Sequence, residues 1–137
     1  MLLNGKKFFI VEDQRANAMI VAIALQSHGG EVYIERWGAR AIEHLKQHPD
    51  VDLILMDLML TGGLSGFDVF TQLKQIPELT HIPVVAVSAS DSNIAMKKAQ
   101  ELGFAGYISK PISYITFPET IASILGGNKV WASEPLL

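Results

Sequence analysis

The chain contains no cysteine, which excludes disulfide frameworks, thiolate catalysis and cysteine-ligated metals. It has no apolar run near the roughly 18 residues that a membrane-crossing helix needs. The lysines of the opening MLLNGKKFFIVED sit inside a short apolar stretch, which is not the layout of a signal peptide. Basic runs are missing too, and the net charge is −3, so direct nucleic-acid binding is not expected. Nor is there an internal repeat or low-complexity tract. What remains is 137 residues, 49% hydrophobic with mixed charge, which suit one packed domain in the cytoplasm with no membrane contact.

Hydrophobic periodicity divides the chain into alternating strands and helices. Short apolar runs at 6–12, 31–35, 51–57, 82–89 and 105–109 read as strands. Between them lie a helix that stops at Gly29-Gly30, one ended by Pro49, one running to Pro77, and one capped by Asp91 or Ser92 and closed by Gly103. A last helix covers roughly 112–126, with Ser113 as a plausible cap and Pro118 late enough to delay or bend it. Five strands alternating with five helices need crossover connections, so the strands pair in parallel. The expected fold is α/β, a five-stranded parallel sheet with helices on both faces: a (βα)5, flavodoxin-like, doubly wound arrangement.

In such a sheet, ligands bind beyond the carboxyl ends of the strands. There the sequence places Glu12 and Asp13, Asp57, Ser88, and Lys110 after Ser109. Three gathered acids repel one another unless a cation sits among them. A hard ion such as Mg2+ takes oxygen ligands of this kind together with waters and a phosphate. Lys110 offers a point charge for a phosphoryl oxygen and Ser88 a hydroxyl donor. The chemistry these residues suit is phosphorylation of the Asp57 carboxylate, with metal and lysine neutralising charge in the transfer.

The motifs FFIVEDQ, VDLILMDL, HIPVVAVSA and GYISKPIS together resemble the response-regulator receiver domain of two-component signalling, over about residues 6–125. The wording around AVSA and YISKPIS is similar to stand-alone receivers of the DivK type. The resemblance implies a receiver domain over 1–126 and a C-terminal tail over 127–137. It implies that Asp57 accepts a phosphoryl group from a sensor histidine kinase or phosphotransfer protein. Glu12, Asp13 and Asp57 would hold Mg2+, or Mn2+ in its place, with the backbone carbonyl of Met59 as a further ligand. Ser88 and Lys110 would meet the phosphoryl group, and Ser88 with Tyr107 would form the conformational switch. Lys110-Pro111 matches a bond usually cis in the family. Downstream protein partners, and a homodimer through the fourth helix, fifth strand and fifth helix, are implied as well. No enzymatic activity is expected beyond self-phosphorylation and slow loss of the phosphoryl group.

The loop after Asp57 departs from the family pattern. Thr61 stands where a proline is usual, and Gly66 falls one residue late, as though DLMLTGGLSG carried an insertion. Three other readings stay open on sequence alone: a constitutive partner-binding module that is never phosphorylated, a flavodoxin-like cofactor binder, and the receiver part of a larger regulator. His44 and His48, four apart on a helix, lack a third metal ligand nearby. The glycines of TGGLSG lack the Lys-Ser/Thr of a phosphate loop. Trp37 and Trp131 serve either partner contacts or packing onto their own domain.

Overall fold

The structure, a computed structural model, describes residues 1–89 and 93–132. Strands β1 (Lys7–Val11), β2 (Glu31–Glu35), β3 (Leu53–Met56), β4 (Val84–Ser88), β5 (Gly106–Ser109) and β6 (Val130–Ala132) form one sheet in the order β2-β1-β3-β4-β5-β6. Every neighbouring pair is parallel. Helices α1 (Arg15–Gln26), α2 (Gly38–Lys46), α3 (Gly66–Leu73), α4 (Asn93–Leu102) and α5 (Phe117–Leu125) provide the crossovers.

Side-chain alternation along the strands sorts the apolar residues into two cores, one on each side of the sheet. Phe9, Val11, Ile54, Met56, Val84, Ala86 and Tyr107 face one core, against Leu45 of α2, Phe70 of α3 and Ala99 of α4. Phe8, Ile10, Leu53, Leu55, Val85, Val87 and Ile108 face the other, against Leu25 of α1 and Ile121 of α5. All four residues of β3 are buried. At about 1.5–3 kcal/mol for each large apolar side chain removed from water, this strand is anchored firmly enough to fix whatever follows it. The order in which strands are added reverses between β1 and β3, so the cleft of the doubly wound sheet opens between the carboxyl ends of those two parallel strands.

The doubly wound parallel fold is as expected, and four details differ. The sheet has six strands, because part of the segment expected as a tail pairs with β5. The outer edge of β5 is therefore covered, and the face expected for self-association presents β6 between α4 and α5. Helix α5 starts only at Phe117, with Pro118 in its first turn, where a missing N–H costs nothing. Helix α3 stops at Leu73, and the chain continues to Ile76 through tighter turns, Gln75 N–H to Gln72 and Ile76 N–H to Leu73, both 3.1 Å. The Asp91 or Ser92 cap of α4 lies outside the described residues, whereas Gly103 closes that helix at φ 99°.

The histidine pair is structural. The Nδ1 atom of His44 lies 3.1 Å from Oε1 of Glu35, and His48 stacks on Tyr33 at 3.9 Å between ring centroids. Trp37 is exposed near the start of α2, while Trp131 packs against the core that holds Tyr107.

Candidate functional site

Parallel register sets Val11 beside Met56, so the residues that follow, Glu12 and Asp57, emerge side by side. The backbone continues this pairing with Asp57 N–H donating to the Val11 carbonyl at 3.0 Å. Carboxylate oxygens of Glu12, Asp13 and Asp57 all lie within 4.8 Å of one another, the only such acid or histidine group among the described residues. Glu12 and Asp57 are buried and Asp13 is half-buried, so the cluster faces solvent on one side only.

Each carboxylate is oriented by a backbone amide. Asp57 Oδ1 accepts from Met59 N–H at 3.0 Å, Glu12 Oε2 from Gln14 N–H at 3.1 Å, and Asp13 Oδ2 from Thr61 N–H at 3.3 Å. Glu12 and Asp13 do not cap α1, whose N-cap is Gln14 and whose first turn carries no acid. The acids are therefore released from a helix-capping role. The contacts from Gln14 and Thr61 were not foreseen from sequence. For Thr61 the signal was present, because a proline at that position would have no N–H to give Asp13.

The Lys110 ammonium pairs with Glu12 Oε1 and stands 3.4 Å from Asp57 Oδ2. Its position follows from β5: Ser109 pairs with Ser88, Lys110 N–H donates to the Ser88 carbonyl at 2.8 Å, and the Lys110-Pro111 bond is cis as expected. Burial pushes Glu12 up, Lys110 pulls it down and Asp57 pushes it up again, to a net value of about 7. Burial also works against ionised Asp13, but hydrogen bonds from Thr61 and Glu12 outweigh it and hold Asp13 below the usual carboxylate range. One ammonium, paired with Glu12 and Asp57, thus serves a cluster of three acids. This oxygen-only, net-negative set fits a hard divalent cation with part of its water shell retained.

Of the residues singled out from sequence, Glu12, Asp13, Asp57 and Lys110 meet at this point. Ser88 is buried at the end of the adjoining strand β4, and Tyr107 lies fully buried further back on β5, packed in the core rather than in the acid pocket. The Met59 side chain is exposed while its amide holds Asp57.

The sequence profile of the response regulator receiver domain matches residues 8–122. The polar-differentiation response regulator DivK of Brucella ovis is 40% identical over 121 residues, covering 88% of this chain and 97% of that protein. Among solved structures, the Mn(2+)-bound form of response regulator Rcp1 is similar with a TM-score of 0.70 and 28% identity, over 89% of this chain and 93% of that one. Chemotaxis response regulator CheY4 of Vibrio cholerae shares the fold, with a TM-score of 0.79 at 20% identity over 87% of this chain and 98% of that one. With the acid pocket at the switch point of a doubly wound sheet, these matches show that the chain belongs to the response regulator receiver domains of two-component signalling.

Proposed function

We propose that Asp57 is the phosphoacceptor of a phosphorylation-dependent switch and takes its phosphoryl group from a histidine kinase or phosphotransfer protein. The observation that carries this reading is the Lys110 ammonium set between Glu12 and Asp57, in a pocket of three converging carboxylates. A carboxylate oxygen of Asp57 attacks phosphorus, the P–N bond of the phosphohistidine breaks, and the imidazole leaves with the electron pair and takes up a proton. Glu12, Asp13, Asp57 and the Met59 carbonyl would hold Mg2+ or Mn2+, which supplies charge neutralisation to the phosphoryl oxygens.

The Met59 amide keeps Asp57 turned towards the pocket, and the buried setting limits water around the acyl phosphate. The new group adds roughly −1.5 to −2 charges. Lys110 then exchanges its contact with Glu12 for a phosphoryl oxygen, and Ser88 moves in from β4. A cleft of about 390 Å3 lined by Asn17, Ile20, Ala89, Lys110 and Pro111 opens beside the pocket. Ile20 is exposed where it lines this cleft, and the exposed Met19 and Ile23 of the same helix and Tyr114 and Ile115 before α5 add apolar surface that suits a donor protein.

The test is intact mass after incubation with acetyl phosphate and Mg2+, followed by borohydride trapping to locate the acyl phosphate. The expected result is a gain of one phosphoryl group at residue 57 that disappears in chelator. A gain mapped elsewhere, or none from either acetyl phosphate or a phosphohistidine donor, would sink this reading and favour constitutive partner binding.

Lys110→Ala is expected to separate metal binding from switching. Removing a cation from a net-negative pocket leaves Mg2+ binding at least as tight as in wild type. The phosphoryl-dependent change in the amide spectrum should vanish, because no ammonium follows the new charge. A spectrum that still moves as in wild type would show that Lys110 does not couple the two.

A further inference from the structure

Strand β6 lies on the outer edge of β5 in parallel register, with Gly106 opposite Val130, Tyr107 opposite Trp131 and Ile108 opposite Ala132. A strand of three residues makes a short ladder, so its side chains decide how firmly it is held. Val130 packs into the core below α1 and α5, and Trp131 into the opposite core, the one containing Tyr107. Partners in parallel register project to the same face, which makes Trp131 the lateral neighbour of Tyr107. Tyr107 is fully buried while Trp131 is only partly so, leaving Trp131 as the outer cover.

The approach is close. A Cβ on Gly106 would stand 3.0 Å from the Val130 carbonyl oxygen, so glycine here leaves room for β6. The link from α5 is short and turns at Gly127, φ 101°, whose N–H donates to the Ile124 carbonyl at 3.0 Å. At its other end β5 runs directly into the acid pocket, through Ser109 beside Ser88 to the Lys110 ammonium on Glu12 and Asp57. One strand therefore carries Lys110 at the site and Tyr107 under the Trp131 cover.

We infer that β6 is a releasable self-ligand of the β5 edge, seated while Asp57 is unmodified and loosened when a phosphoryl group on Asp57 draws Lys110 and the end of β5 into a new arrangement. Release uncovers the hydrogen-bonding edge of β5 for a protein partner that β6 otherwise excludes. The inference rests on the phosphoacceptor reading of Asp57. It adds a segment to the switch that the receiver motifs do not contain.

Tryptophan chemistry makes the test direct, because Trp37 and Trp131 are the only two tryptophans in the chain. In Trp37→Phe the emission reports β6 alone. Beryllofluoride with Mg2+ serves as the phosphoryl analogue, and its bound fluorine signals, absent in Asp57→Asn, report occupancy independently of tryptophan. The expected result is a red shift of Trp131 emission and stronger acrylamide quenching as the fluorine signals appear. Coupling is reciprocal, so Trp131→Ala should bind beryllofluoride about fivefold more tightly or better, whereas Trp37→Ala should not. Val130→Ala, which trims the other anchoring side chain, gives the same readout should Trp131→Ala fold poorly. Bound fluorine with unchanged Trp131 emission and quenching, or unchanged affinity in the β6 variants, would overturn the inference. No bound fluorine in wild type would instead overturn the phosphoacceptor reading, and this coupling with it.

Discussion

Asp57→Asn is expected to lose phosphoryl incorporation altogether and, in chelator, to unfold at a higher temperature than wild type. The two effects have one origin. An amide cannot attack phosphorus as a carboxylate does, so the mass gain disappears. The same substitution relieves a charge conflict that the metal-free protein carries. In the folded protein the Asp57 charge faces the Glu12 and Asp13 carboxylates, with oxygens within 4.8 Å, against one attraction from Lys110 at 3.4 Å that Glu12 shares. Removing the Asp57 charge relieves both repulsions at the loss of that one shared attraction, and every net relief of about 1 kcal/mol raises the midpoint by a few degrees for a domain of this size.

Linkage gives an independent check in chelator. Glu12 has a folded value of about 7 against an ordinary 4.5, so between these values the folded state binds a proton that the unfolded chain has lost. Stability of the metal-free wild type should therefore rise as pH falls through about 7. Asp57 is one of the groups holding Glu12 up, so the rise should be smaller in Asp57→Asn. Calorimetry at several pH values in chelator measures both. An Asp57→Asn midpoint below that of wild type would mean that the carboxylate holds the pocket together, contrary to this account.

The pocket was legible in the sequence because its parts sit where short apolar runs end. Asp57 closes VDLILMD and Glu12-Asp13 close the first strand, and a parallel sheet brings those ends together without further information. Lys110 and Ser88 followed by the same logic. The backbone donors were not legible in this way: Gln14 and Thr61 contribute N–H groups, which every residue except proline possesses. Strand β6 was missed for a different reason. GGNKVWASEPLL opens on two glycines and shows no sustained alternation, and a strand of three residues is specified by the edge it docks against rather than by its own pattern. The late start of α5 was readable from Pro118, since proline fits a first turn and not an interior one.

The loop after Asp57 shows how a departure from a family pattern can keep its physical requirement, and it makes the strongest prediction about stability. Gly62 and Gly63 take up the extra length at φ 88° and 91°, and the following glycine, Gly66, begins α3 directly against the Asp57 peptide. A Cβ at Gly66 would lie 2.2 Å from the Asp57 carbonyl oxygen and 2.8 Å from Leu58 Cα. Both are backbone atoms, so no side-chain rotation relieves the clash. Either α3 lifts from the sheet, breaking the 3.2 Å bond from Gly66 N–H to the Leu58 carbonyl, or the Asp57 peptide itself is displaced.

Gly66→Ala should therefore cost about 2–4 kcal/mol in denaturant unfolding, at or above the upper end of ordinary overpacking. It should also slow phosphorylation by acetyl phosphate about a hundredfold, since displacement of a reacting atom by an ångström costs that much. Gly62→Ala is the matched control. Its added Cβ meets nothing within 4 Å, so the cost is confined to its positive φ, about 1–2 kcal/mol, and the phosphorylation rate should stay within a few-fold of wild type. If Gly66→Ala matched Gly62→Ala in both stability and rate, the contact between α3 and the Asp57 peptide would not be what aligns the acceptor.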